Sequence, residues 1–164
     1  MSAPASPPSF WQRRVRTPLV ALFTQGVTPD KIALTFAVGS ACSLFPFLGF
    51  TSLLNLGAGL WFRLNQPLLQ TLNQVLGPLQ LLLILAYVRL GEWLWRAQGD
   101  RFTLSEMIQV FRDASLREFI HRFGWAGIHA FTAWAVTSPL LIVLVYQVFR
   151  PVLRRLASKS TARP

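Results

Sequence analysis

Gln66, Gln70, Asn73, Gly77 and Gln80 are spaced so that, at about 100° per residue, they share one helical stripe about 80° wide. Leu68, Leu72, Leu76, Leu79 and Leu83 fall on the other side of the same helix. Amides carry both donors and acceptors, so an amide row inside an apolar helix must turn toward other protein or toward water. Two chemistries fit: hydrogen bonding between helices, or the wall of a polar path for a solute. Enzymatic constellations are missing from the sequence. It has no His-x-x-x-His, paired cysteines, P-loop or Gly-x-Ser-x-Gly, and no acid pair within its apolar runs. His121 and His129 have no carboxylate partners nearby in sequence and read as interfacial or packed, and Cys42 reads as a small core residue. The expectation is a non-enzyme with no catalytic residue, no metal and no cofactor.

The setting of that stripe is lipid. Of the 164 residues, 52% are hydrophobic and 13% charged, about half the charge of a soluble globule, and the formal net charge is +10. Charged residues leave 31 positions free between Lys31 and Arg63, 25 between Arg63 and Arg89, and a third long run between Arg122 and Arg150. About 20 apolar residues cross a bilayer, so the second and third runs predict spanning helices over 66–88 and 124–149. The first run is too long for one crossing and too short for two. Its centre, Phe45-Pro46-Phe47-Leu48-Gly49, combines a helix-breaking proline with a glycine that permits reversal. Residues 28–62 therefore read as a re-entrant helical hairpin with Pro46 and Gly49 at its tip, where bare backbone groups need cover from the other helices.

Thr28-Pro29-Asp30 and Asn65-Gln66-Pro67 are helix starts. Thr103 with Glu106 and Ser115 with Glu118 have capping-box spacing and predict two short amphipathic surface helices over 104–123. Small residues, among them Ala33, Ala37, Gly39, Gly57 and Gly59, offer close helix approach. Trp61, Trp93, Trp95 and Trp125 stand at the ends of apolar runs, as interfacial anchors do. The organisation expected is a disordered tail over 1–9, not a secretory signal, then one membrane domain over 10–156 and a basic tail over 157–164. The fold class is an all-α integral membrane bundle. Counting Lys and Arg gives 10 against 6 whether 32–62 returns or crosses, so charge does not choose the orientation. Helix geometry favours the hairpin, with both termini cytoplasmic.

Residues 28–94 carry a further pattern: Pro29, Ile32 and Ala33; Ala37 and Gly39; Pro46 and Gly49; Arg63, Asn65 and Pro67; then Tyr87 and, with one extra residue between them, Gly91. This resembles the bacterial membrane family of unknown function numbered twenty sixty-two. The family usually has Asn-Pro in its second spanning helix, whereas this chain has Asn73-Gln74 with the proline at Pro78. The resemblance implies a bacterial inner-membrane protein and carries no activity, substrate or catalytic residue.

Arg63, beside Asn65, suits either a lipid phosphate or an anionic head group, or a snorkelling role at the boundary. Arg150, Arg154, Arg155 and Lys159 follow the last apolar run and read as contacts to anionic lipid head groups, not to nucleic acid. The partners expected are anionic membrane lipids and a second copy of the chain in a homo-oligomer. Two functions follow: a small carrier or binder of an anionic amphiphile such as a lipid, or a non-transporting scaffold acting through helix contacts.

Overall fold

A computed structural model describes residues 28–97, 103–113 and 115–161. The tail expected over 1–9 lies outside the described residues. These are all-helical, with no strand among them: α1 (Pro29–Ser43), α2 (Thr51–Trp61), α3 (Gln66–Trp95), α4 (Leu104–Asp113) and α5 (Leu116–Thr161).

The local signals act as their chemistry dictates. The Thr28 hydroxyl accepts from the Lys31 amide at 3.3 Å, Pro29 opens α1 and Asp30 lies in its first turn. α1 ends at Ser43, before Pro46, and the reversal passes through Gly49 at φ 86°, a left-handed conformation that a Cβ disfavours. α2 then runs back for 11 residues. At its end the Lys31 ammonium donates to the Phe62 carbonyl at 2.9 Å, so the two free ends of the helix pair meet. Asn65 caps α3 by accepting from the Leu68 amide at 2.9 Å, and its own amide donates to the Thr35 hydroxyl at 3.4 Å. α3 therefore starts level with the open end of the pair. It continues through Pro78 and stops at Arg96, left-handed at φ 51°, where the Ala97 amide donates to the Glu92 carbonyl.

Two expected boundaries move. The spanning helix predicted over 66–88 runs to Trp95, because Arg89 and Glu92 form an ion pair one turn apart along it, at 2.8 Å, instead of ending it. Of the two surface helices expected over 104–123, only the first stands alone. α4 has its reciprocal capping box, Thr103 amide to Glu106 carboxylate at 2.8 Å and Glu106 amide to Thr103 hydroxyl at 3.3 Å. The second merges with the helix predicted over 124–149 into α5, 46 residues long. Gly124 has no proline or turn residue beside it, so nothing in the backbone stops the helix there.

α3 and α5 are antiparallel. Tyr87 and Val88 pack on Ala130 and Ala133 at one end. At the other, Leu153 packs on Ile32 and Ala33, and Phe149 stacks on Phe36 with ring centres 4.6 Å apart. Between them Val38, Cys42, Leu64 and Leu69 form a middle cluster. Gly39 lies against Leu69 and Leu72, and Gly59 against Gln66 and Leu69, the close approach that small residues allow. The leucine side of α3 is thus partly covered: Leu72 meets Gly39, and Leu68 joins the cluster at Ile32. Gly57, by contrast, faces open space.

α3 and the Phe123–Ser158 stretch of α5 are long and apolar enough to cross a membrane, and most of each faces outward. Leu53, Leu60, Val75, Leu82, Leu140 and Val148 are all exposed. Apolar surface this extensive is a liability in water and the ordinary condition of a helix in lipid.

Candidate functional site

The polar stripe of α3 closes on the break between α1 and α2. Asn73 is 8% exposed and Gln80 5%. The Asn73 amide donates to the Ser52 hydroxyl at 2.9 Å, and the Gln80 amide to the Phe45 carbonyl at 2.8 Å. From the other side the Trp134 indole N–H donates to the Ala41 carbonyl at 2.9 Å. A helix leaves its last four carbonyls without intrahelical partners, and here α5 supplies a donor to one of them, Ala41, while α3 supplies one to the Phe45 carbonyl in the turn beyond. Phe45 also packs edge-on against the Trp134 ring, centres 4.8 Å apart. Pro46 is buried, and Gly49 is exposed at the turn. The later helices thus cover Ala41, Phe45 and Pro46, whereas Phe47, Leu48, Gly49 and Phe50 at the turn stay exposed.

Nearer the open end, the Gln66 amide donates to the Leu56 carbonyl at 3.1 Å. Gln70 is half-buried, and a side chain at Gly77 would meet no atom, so these two positions lie at the margin of the seam. The stripe is therefore engaged at Gln66, Asn73 and Gln80.

At the centre of the seam stands Asn55 of α2, fully buried. Its amide nitrogen is shared among the Thr51 carbonyl at 3.0 Å, the Ser43 hydroxyl at 3.1 Å and the Asn73 side-chain carbonyl at 3.5 Å. One residue thus joins α1, α2 and α3. Among the described residues two buried acceptors, Asn55 Oδ1 and Gln66 Oε1, receive no hydrogen bond. Each leaves a desolvation cost of about 1–3 kcal/mol unmet.

The open end of the helix pair is strongly basic. Asp30 accepts from Arg150 Nε at 2.9 Å and is gripped by two nitrogens of Arg154, Nε at 3.0 Å and a terminal nitrogen at 2.7 Å. Asp30 is therefore more than a first-turn residue: it ties the start of α1 to the end of α5. The hydrogen bond from Arg154 leads in holding its carboxyl below the ordinary value of 3.8, with Arg150 adding to it. Arg63, left-handed at φ 51°, and Arg155 are both exposed. Lys159 lies within α5, but its side chain is outside the described residues.

At the opposite end, His129 is buried mid-helix in α5 between Trp95 and Trp125, with ring centres 5.7 and 6.4 Å away, and its backbone abuts Gly91. His121 is exposed. Among the described residues no group of three or more His, Cys, Asp or Glu side chains gathers at one point.

These features define a small helical bundle with two helices apolar enough to span a membrane, built around a broken helix pair. The chain belongs to the DUF2062 family of uncharacterized proteins conserved in bacteria, whose profile matches residues 12–162, a longer stretch than the 28–94 that carry the spaced residues. No curated protein and no solved structure matches the chain. Two such helices in a bacterial protein point to a membrane location.

Proposed function

We propose that this is an integral protein of the bacterial inner membrane, both termini cytoplasmic, in which 28–62 form a re-entrant hairpin, and that it serves as a non-catalytic scaffold through helix contacts. One observation carries the scaffold reading: the donors that face the break are already spent on it, Gln80 on Phe45, Trp134 on Ala41 and Asn73 on Ser52. A path for a solute would keep such groups available. Re-entrance is supported by length and closure. α1 and α2, with 15 and 11 residues, reach about 22 and 16 Å, short of the roughly 30 Å of hydrocarbon. Lys31 meets Phe62 at their open end.

A second reading, a small carrier or binder of an anionic amphiphile, has support of its own. Asn55 Oδ1 and Gln66 Oε1 are acceptors that a donor-bearing solute would satisfy, and Lys31, Arg63, Arg150, Arg154 and Arg155 crowd the basic end. Replacing Gln70 and Asn73 together by leucine separates the two. The scaffold reading expects the bundle to unfold more readily in detergent, because Asn73 loses Ser52, with no change in uptake or lipid transfer by vesicles reconstituted with folded protein. An unchanged unfolding midpoint with lost transfer would favour the carrier.

A further inference from the structure

Two guanidinium groups converge on one carboxylate at the basic end. Arg154 holds Asp30 with two nitrogens and Arg150 adds Nε to the same oxygen, yet the arginine side chains stay 44% and 51% exposed, for Arg150 and Arg154 respectively. Two cations against one anion leave a positive charge unbalanced. Arg155 is exposed on the same helix, Lys31 follows Asp30 directly, and the Arg150 guanidinium lies 5.7 Å from the Tyr146 ring centre. Planar guanidinium forks fit phosphate oxygens as well as they fit carboxylate. The site also stands where the apolar run of α5 ends, the depth of lipid head groups.

We propose that Arg150 and Arg154 form a seat for the phosphate of an anionic phospholipid, and that Asp30 is a resident anion competing for it. The inference rests on the amphiphile-binding reading and adds a sign to it. Removing a negative residue from an already basic surface is expected to tighten lipid binding at these two arginines specifically, and not merely to raise net charge.

The test uses the full chain in neutral detergent, titrated with short-chain phosphatidylglycerol or phosphatidylcholine and followed by thermal unfolding, with helix content checked by circular dichroism. Phosphatidylglycerol is expected to raise the midpoint of the wild type and phosphatidylcholine not to. Asp30→Asn is expected to lower the half-saturating phosphatidylglycerol concentration about tenfold, the worth of one charge-assisted contact. Adding Arg150→Gln and Arg154→Gln to Asp30→Asn should abolish the gain, whereas adding Arg112→Gln, at an exposed arginine of α4, should keep most of it. A phosphatidylglycerol response that Asp30→Asn leaves unchanged or weakens overturns the competing-anion proposal while the amphiphile reading stands. Absence of any response in wild type and variants overturns both. Inorganic phosphate at millimolar concentration giving the same stabilisation overturns a lipid as the occupant.

Discussion

Asn55 shows how a single uncharged amide organises the hairpin. It is the only amide in the charge-free run between Lys31 and Arg63, a signal visible in the sequence, but periodicity does not weigh one amide among 31 residues. The α3 stripe is legible because five positions repeat; its side-chain partners Ser52 and Asn55 are not, since they come from another helix. Gln80 is the stripe residue whose loss should cost most. Gln80→Leu leaves the partly buried Phe45 carbonyl without its donor and is expected to destabilise the protein by about 1–3 kcal/mol in detergent unfolding. Gln74→Leu, on an exposed position of the same helix, should stay within about 0.5 kcal/mol. Equal effects of the two substitutions would mean that Gln80 does not hold the break. Asp30 makes a pH prediction at the same scale. Its carboxyl is held below 3.8 by Arg154 and then Arg150, so the folded state binds that proton less readily than the unfolded chain. The resulting stability is present above pH 3.8 and is lost as pH falls through the lowered value. Acid unfolding of Asp30→Asn should therefore lack the part of the wild-type decline that begins near that pH.

Helix ends are the best-read elements of this chain and helix continuity the worst. Thr28, Asn65 and Thr103 cap as their side chains predict, and the Pro46 to Gly49 break falls where a missing donor and a permissive backbone place it. The merger of the second surface helix into α5 is not readable, because an amphipathic turn running into an apolar one changes its environment without changing its backbone. Glycines divide in the same way: composition marks them all as small, and only their neighbours tell which are needed. A Cβ at Gly91 would run into the His129 carbonyl on α5, so Gly91→Ala should push the two helices apart at a cost of about 1–3 kcal/mol. At Gly57 a Cβ meets nothing, and Gly57→Ala should stabilise α2 by up to about 1 kcal/mol through helix propensity alone. Unfolding midpoints of the two variants moving in the same direction would contradict the packing assigned to α3 and α5.

Among the described residues one end of the molecule is basic, where α1 begins, α2 stops, α3 starts and α5 ends. Lys31 on Phe62, Asn65 on Thr35, and Arg150 and Arg154 on Asp30 hold those four points together. The break between α1 and α2 meets α3 at Gln80, 14 residues beyond Gln66 and about 21 Å along a helix about 45 Å long. Beyond Gln80, α3 packs on α5 through Tyr87, Val88 and Gly91, and Phe47 at the turn still reaches α5 at Gly127. Charge counting is silent on this arrangement, since a returning or a crossing segment leaves 10 Lys and Arg on one side and 6 on the other. The central claim, that 28–62 enters and leaves the membrane from one face, is tested most directly by labelling. In a Cys42→Ala background, single variants Lys31→Cys, Arg63→Cys and Arg96→Cys are exposed to a membrane-impermeant maleimide in spheroplasts and in inverted vesicles. Lys31→Cys and Arg63→Cys are expected to react together, from the cytoplasmic face, and Arg96→Cys from the other. Reaction of Lys31→Cys and Arg63→Cys from opposite faces would contradict the account.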